Sequence, residues 1–398
     1  MKKQVKNQVD WVGKVDWELE YFHGREYSTH RGSSYNSYLI REEKTALIDT
    51  VWAPFAAEFV ANLAREIDLD QIDYIIANHA EPDHSGALPE LMKRIPDKPI
   101  YCTANGVKSL RGHYHQNWNF HPVKSGDKIG LGGGKELLFI EAPLLHWPDS
   151  MFTYLSGDNI LFSNDAFGQH FATELLFNDR VAQDELFAEA LKYYANILTP
   201  FSPLVLKKIQ EFTGLGLPLD IICTSHGVIW RDNPLQIIAQ YQEWASAYQE
   251  NQITLIYDTM WDGTRILAES IARGIRMQDD AINLKIHNSA KFDKNDIITD
   301  VFKSKAILVG SPTVNRGILN SVAGLLEEMK GLGFKKKKAA AFGCYGWSGE
   351  AIALINEGLG KAGFEVAADG FKALWNPDVD AVDRALDYGR EFAARCKR

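Results

Sequence analysis

Asn78-His79-Ala80-Glu81-Pro82-Asp83-His84-Ser85-Gly86 is the stretch on which the reading of this chain turns. Four natural metal ligands, His79, Glu81, Asp83 and His84, fall within six positions, directly after the apolar run Ile72–Ala77. A single histidine is usually a surface or core residue. A cluster this dense is hard to explain by packing. Pro82 argues against a helix interior, so the spacing is not that of a His-Glu-x-x-His zinc helix. It predicts a sharp loop that aims alternate side chains into one cavity.

Working outward, three more segments carry ligand-type residues in loops: His146 after Leu144-Leu145, Asp165 in Ser163-Asn164-Asp165, and His226 in Thr224-Ser225-His226-Gly227. Three of the four segments follow apolar strands, over 72–77, 159–162 and 219–223. Active groups in α/β folds gather at such strand ends. His113, His115, His121 and His287 read as ordinary surface or core residues. Ser37–Thr50 reads as a hairpin turning at Arg41–Lys44, and the spacing of Phe55, Phe59, Val60, Leu63 and Ile67 predicts a helix after Pro54. Helices are expected over about 182–196, 201–213 and 233–248. Strands and helices in this order predict two sheets sandwiched between helices.

From Ile253 the rhythm alternates strictly. Strands are expected at Ile253–Asp258, Ala281–His287, Lys305–Gly310, Lys338–Gly343 and Phe364–Ala368, with helical patterns between them. That predicts a doubly wound parallel sheet. The polar stretch Gln249–Gln252 marks the boundary, giving domains 1–249 and 250–398. The first of these strands runs into Thr259-Met-Trp-Asp-Gly-Thr264 and at once into a helix. Hydroxyls, backbone N–H groups and a helix N-terminus suit a phosphate monoester. Neither a nucleoside-triphosphate loop nor Gly-x-Gly-x-x-Gly is present. Two more loops, Gly310–Gly317 and Phe342–Gly349, end the third and fourth strands. Tyr345 and Trp347 offer flat faces to an isoalloxazine ring.

His-x-Glu-x-Asp-His, followed by His146, Asp165 and His226, resembles the flavodiiron proteins, oxidases and reductases with a metallo-β-lactamase fold and a fused flavodoxin domain. The resemblance extends over nearly the whole chain, including Leu145–Ser150, Phe167–His170 and Tyr193–Asn196. It implies an N-terminal metallo-β-lactamase-like αββα sandwich followed by a flavodoxin-like doubly wound parallel sheet. It implies two iron ions: one on His79, Glu81 and His146, the other on Asp83, His84 and His226, bridged by Asp165. His84 is the ligand that the family pattern allows to swing away and leave a water. Where related zinc hydrolases carry His, this chain has Glu81, a harder oxygen donor. Four neutral imidazoles and three carboxylates set −3 against the +4 of two divalent ions, which favours iron and its oxidised form.

The resemblance also implies FMN. Its phosphate loop is Thr259, Met260, Trp261, Asp262, Gly263 and Thr264. Its ring loops are Ser311, Pro312, Thr313, Val314 and Asn315, then Gly343, Cys344, Tyr345, Gly346, Trp347 and Gly349. Gly263 and Cys344 stand where members often have Ser or another small residue, and Asn320 replaces a common Pro. These departures are expected to tune the flavin rather than abolish binding. The implied activity is reduction of nitric oxide to nitrous oxide, of dioxygen to water, or both. Tyr193, Tyr194 and His170 are candidates for orienting ligands or delivering protons, and Trp147 for a subunit junction. A head-to-tail homodimer, alone or as a dimer of dimers, is implied. So is an external electron donor, commonly rubredoxin. A family branch using reduced coenzyme F420 and a dizinc hydrolase of the same fold are the alternatives.

Composition bounds these expectations. Hydrophobic residues are 45% and charged residues 24% of 398, ordinary globular values. The net charge of −9 argues against a nucleic-acid partner. No apolar run is long enough for a membrane span, and no signal peptide is visible. Cys102, Cys223, Cys344 and Cys396 are scattered, which points to a reducing, cytoplasmic setting and to a minimal two-domain member without its own rubredoxin site. The basic run Lys335–Lys338 is expected to be a solvated loop before a strand.

Overall fold

The computed structural model describes residues 2–396. It divides into two compact units. One takes the chain up to Tyr193 together with Phe201–Gln242, and the other takes Tyr194–Pro200 and everything from Glu243 on.

The first unit holds two facing sheets. A seven-stranded sheet runs in the order Lys3–Lys6, Val9–Trp11, Tyr38–Arg41, Thr45–Ile48, Ile72–Ile76, Ile100–Thr103, Phe120–Val123. A five-stranded sheet runs Lys128–Gly132, Lys135–Glu141, Met151–Leu155, Ile160–Asn164, Ile221–Thr224. Side chains alternate across a strand, so each central strand feeds two cores. Ile40, Ile48 and Ile76 of one sheet meet Phe139, Leu155 and Phe162 of the other. Leu39, Leu47 and Ile75 point the opposite way, onto helices Ala56–Glu66 and Leu88–Arg94 through Phe59, Leu63 and Leu91. The second sheet's helices are Gln183–Tyr193, Ser202–Gly214 and Leu235–Ala245. This is the sandwich expected from sequence.

One local expectation fails. The segment after Glu81 is not an irregular loop: Pro82–Ser85 forms one helical turn with Pro82 in its first positions. Proline is tolerated there because the N–H it lacks has no partner inside the helix. Asp83 and His84 therefore project from a helical turn, while His79 and Glu81 lie on the extended backbone before it.

The second unit is a parallel sheet in the order Asn283–Asn288, Glu250–Tyr257, Ser304–Gly310, Lys338–Tyr345, Glu365–Val366. In chain order that is 2-1-3-4-5, the flavodoxin-like arrangement. The fifth strand differs from expectation. It is split into Glu365–Val366 and Phe371–Leu374, both paired with Lys338–Tyr345. Between them Gly370 adopts φ +101, where a Cβ would meet Ile352 at 2.4 Å, so the chain steps sideways and resumes.

Lys337 is a second departure. It is 3% exposed, and its ammonium donates to the carbonyls of Tyr248, Phe302 and Ser304 at 2.9, 2.7 and 2.7 Å. Three donors meet three acceptors, so this lysine ties strand ends together instead of facing water.

Helices Gly263–Gln278 and Val379–Arg395 approach closely through a reciprocal pair of glycines. A Cβ on Gly274 would lie 1.9 Å from the Leu386 carbonyl oxygen, and one on Gly389 would lie 2.2 Å from that of Ile271. Backbone cannot yield cheaply, so Gly274→Ala is expected to destabilise the second unit by about 3 kcal/mol. A thermal melt followed by a probe in the second unit checks this. Among the described residues, no helix is long and apolar enough to cross a membrane.

Candidate metal centre and flavin site

Strand ends bring the seven expected metal-site residues together. The strand Ile72–Ile76 delivers His79 and Glu81, Ile160–Asn164 delivers Asp165, and Ile221–Thr224 delivers His226. His146 enters from the loop between Lys135–Glu141 and Met151–Leu155. The ligand-type atoms form two groups, His79, Glu81, His146 and Asp165 in one and Asp83, His84 and His226 in the other, each within 4.8 Å of one another.

Asp165 faces both groups. Its Oδ2 lies 3.3 Å from His146 Nε2 and 3.7 Å from His79 Nε2. Its Oδ1 lies 3.1 Å from His84 Nε2 and 3.3 Å from His226 Nε2. Asp83 Oδ2 is 3.1 Å from His84 Nε2 and 3.0 Å from His226 Nε2. His84 is thus turned into the cluster.

Both carboxylate oxygens of Asp83 and of Asp165, and Nε2 of His84, are buried without a hydrogen-bond partner. Leaving such groups unanswered costs several kcal/mol each, and a cation answers them all. Burial would raise the Asp165 carboxyl, but His84, His146 and His226 outweigh it and hold it well below the usual range. Burial would lower the His226 imidazole, but Asp165 and Asp83 raise it to about 10.

Groups behind the imidazoles orient them. His79 Nδ1 donates to Asp149 Oδ2 at 2.9 Å, and the Ala80 N–H donates to the same oxygen at 2.8 Å. His226 Nδ1 donates to the Ser34 carbonyl at 2.7 Å. Both rings therefore present Nε2 to the cluster. Asp149 was not singled out from sequence, since the histidine it orients, His79, lies 70 positions upstream. His23 was missed as well. It comes from a hairpin far upstream, and its Nε2 lies 2.5 Å from Glu81 Oε1.

The residues expected beside the cluster divide. His170 is buried, with Nδ1 2.9 Å from Ser33 Oγ, Nε2 unpartnered, and its ring 5.2 Å from that of His226. Burial and then the neighbouring His226 charge hold it neutral, well below its ordinary value. Tyr193 packs 5.2 Å from His170 and 6.5 Å from His226, and burial, then Asp165, keeps its phenol protonated. Tyr194 does not join them. It begins the five-residue π-helix Tyr194–Leu198, and its ring packs on Trp244 and Phe302 in the second unit. A helix that widens by one residue turns the next side chain away, which sequence spacing did not reveal. Trp147 stands edge-on to His79 at 5.3 Å and stacks on His113 at 6.2 Å.

In the second unit a cavity of about 750 Å³ opens at the strand ends. Thr259, Met260, Trp261, Gly263, Thr264, Pro312, Thr313, Asn315, Cys344, Tyr345, Gly346 and Trp347 line it, as do the unanticipated Arg316, Ser348, Trp375 and Asn376. The other expected residues support its walls. Asp262 caps the helix Gly263–Gln278 in a left-handed conformation and pairs with Arg265. Ser311 is buried and accepts from the Leu319 N–H, Val314 bridges Gly317, Gly343 lies within the strand, and Gly349 packs beneath the Tyr345 ring. Thr259 Oγ1 and Thr264 Oγ1 are buried without partners beside this helix N-terminus. Unanswered hydroxyls at the positive end of a helix suit a phosphate. Trp261 and Trp347 flank the opening at 85% and 89% exposure, flat surfaces available to a planar ring.

Comparison with known proteins follows the same division. Residues 34–227 match the family described as ODP family beta lactamase, and residues 255–388 match flavodoxin. The anaerobic nitric oxide reductase flavorubredoxins of Klebsiella pneumoniae and of Escherichia coli O1:K1 are each 58% identical over 98% of this chain and 81% of their own length. Rubredoxin oxygen:oxidoreductase from Desulfovibrio gigas superimposes with a TM-score of 0.96 at 34% identity, covering 100% of this chain and 99% of that one. The flavodiiron protein of Giardia intestinalis gives 0.94 at 32% identity, covering 100% and 97%.

Proposed function

The chain belongs to the flavodiiron protein family, and from that membership we propose that it reduces nitric oxide to nitrous oxide, dioxygen to water, or both, at a diiron centre served by FMN. The observation that carries the reading is the Asp165 carboxylate, with one oxygen toward His79 and His146 and the other toward His84 and His226. One iron would be held by His79, Glu81 and His146, the other by Asp83, His84 and His226, with Asp165 shared. The unpartnered carboxylate oxygens of Asp83 and Asp165 support this donor set, and their hardness favours iron. FMN would sit in the strand-end cavity, its phosphate on Thr259 and Thr264 and its ring among Tyr345, Trp347 and Trp375.

When bound, reduced FMN would supply two electrons and the pair of ferrous ions one each, four in all, enough for dioxygen and more than enough for two nitric oxide molecules. The chain's residues do the rest. Asp149 and the Ser34 carbonyl hold His79 and His226 with Nε2 forward. His170 stays neutral with Nε2 unpartnered, placed to accept a hydrogen bond beside the cluster, and Tyr193 holds a phenolic proton nearby. The names of the relatives at 58% identity favour nitric oxide as substrate. Electrons would reach the flavin from a one-electron carrier such as rubredoxin, which the name of a structural neighbour carries. A head-to-tail homodimer would bring one subunit's flavin to its partner's irons.

Anaerobic stopped-flow tests the reading. Fully reduced enzyme mixed with each gas should show flavin oxidation, faster with nitric oxide. Absence of oxidation with either gas refutes it.

A further inference from the structure

The hairpin formed by Tyr21–Phe22 and Tyr27–Ser28 carries His23 at its turn, in left-handed backbone at φ 53. Its ring reaches the metal centre: His23 Nε2 is 2.5 Å from Glu81 Oε1. The other Glu81 oxygen, Oε2, faces the cluster, 3.1 Å from His79 Nε2 and 3.6 Å from His146 Nε2. The two oxygens of one carboxylate are thus divided between a hydrogen bond and the metal-ligand group. We propose that His23 is a positioning residue that makes Glu81 a one-oxygen ligand, holding Oε1 so that only Oε2 is aimed at the metal. The inference rests on the diiron reading above.

A carboxylate can bind a metal through one oxygen or chelate it through both, and rotation of the group interconverts the two. An N–H donor on one oxygen stops that rotation and withdraws the oxygen from the metal. The hairpin is in turn held in place. Phe22 packs its ring 4.8 Å from His170 and 5.7 Å from His226, and Tyr27 stands edge-on to His23 at 5.3 Å. His23 therefore cannot drift from Glu81 without unpacking Phe22 from the other half of the cluster. Its Glu81 side is enclosed while its ring remains one-third exposed, so no large cavity would follow its removal.

The test is anaerobic titration of chelator-stripped protein with ferrous iron, reading the iron retained after desalting and the Mössbauer spectrum. Wild type should bind about two ions per chain. His23→Ala should weaken one of the two by about tenfold and shift one of the two iron signals. His23→Gln, which keeps an N–H donor at similar reach, should restore both. Wild-type affinity and spectrum in His23→Ala would overturn the proposal. So would equal losses in the Ala and Gln variants with a lowered melting temperature, which would make His23 a packing residue. If wild type itself fails to bind two ions, the diiron reading falls and this inference with it.

Discussion

Asp165→Ala is expected to retain about one iron or fewer per chain and to lower gas reduction roughly a thousandfold, a loss of about 4 kcal/mol of transition-state stabilisation. The size follows from geometry. Each other ligand-type side chain belongs to one group, whereas Asp165 faces His146 and His79 through Oδ2 and His84 and His226 through Oδ1. Removing it takes a donor from both ions and the negative charge from between them. Glu81→Ala should cost less iron, because the Asp83, His84 and His226 group stays complete. Elemental analysis after desalting, with a nitric oxide electrode, measures both effects, and Asp165→Asn controls for packing. Unchanged turnover would return the chain to a pure electron carrier. About two zinc and no iron in active wild-type protein would favour the hydrolase alternative.

The double substitution Thr259→Val, Thr264→Val should weaken FMN binding by about a hundredfold or more, since hydrogen bonds to a charged group contribute roughly 1.5–3 kcal/mol each. Both hydroxyls are buried and lack partners in the protein, so no native hydrogen bond is broken. Valine keeps threonine's shape. The flavin-free variant should therefore melt no lower than flavin-free wild type, which separates lost binding from lost folding. Quenching of flavin fluorescence on titrating apoprotein gives the affinity. A change below about threefold would mean that backbone N–H groups at the helix N-terminus hold the phosphate without the hydroxyls.

Much of this was legible because the chemistry sits in short, dense segments. His79, Glu81, Asp83 and His84 announce themselves by crowding, and the loops at 259–264, 310–317 and 342–349 by their place after apolar runs. Residues that act singly were not legible. His23 and Asp149 meet their partners 58 and 70 positions away in the chain, and no local pattern encodes that encounter. Trp375 and Asn376 reach the strand-end cavity from a strand the alternation pattern did not separate, because Gly370 interrupts it. Lys337 looked like part of a solvated run because burial of an ammonium depends on three carbonyls contributed by other segments.

By itself, the sequence determined the two architectures, and it pointed to seven ligand-type side chains and three loops that the fold brings together at strand ends. Periodicity and local composition are properties of neighbours along the chain. The tertiary structure alone decided which oxygen faces which group, that His79 and His226 present Nε2, that Tyr193 approaches the cluster while Tyr194 turns away, and that His23 clasps Glu81. Those are matters of a few ångströms between distant segments. They are settled by packing and by the cost of leaving a buried polar atom unanswered.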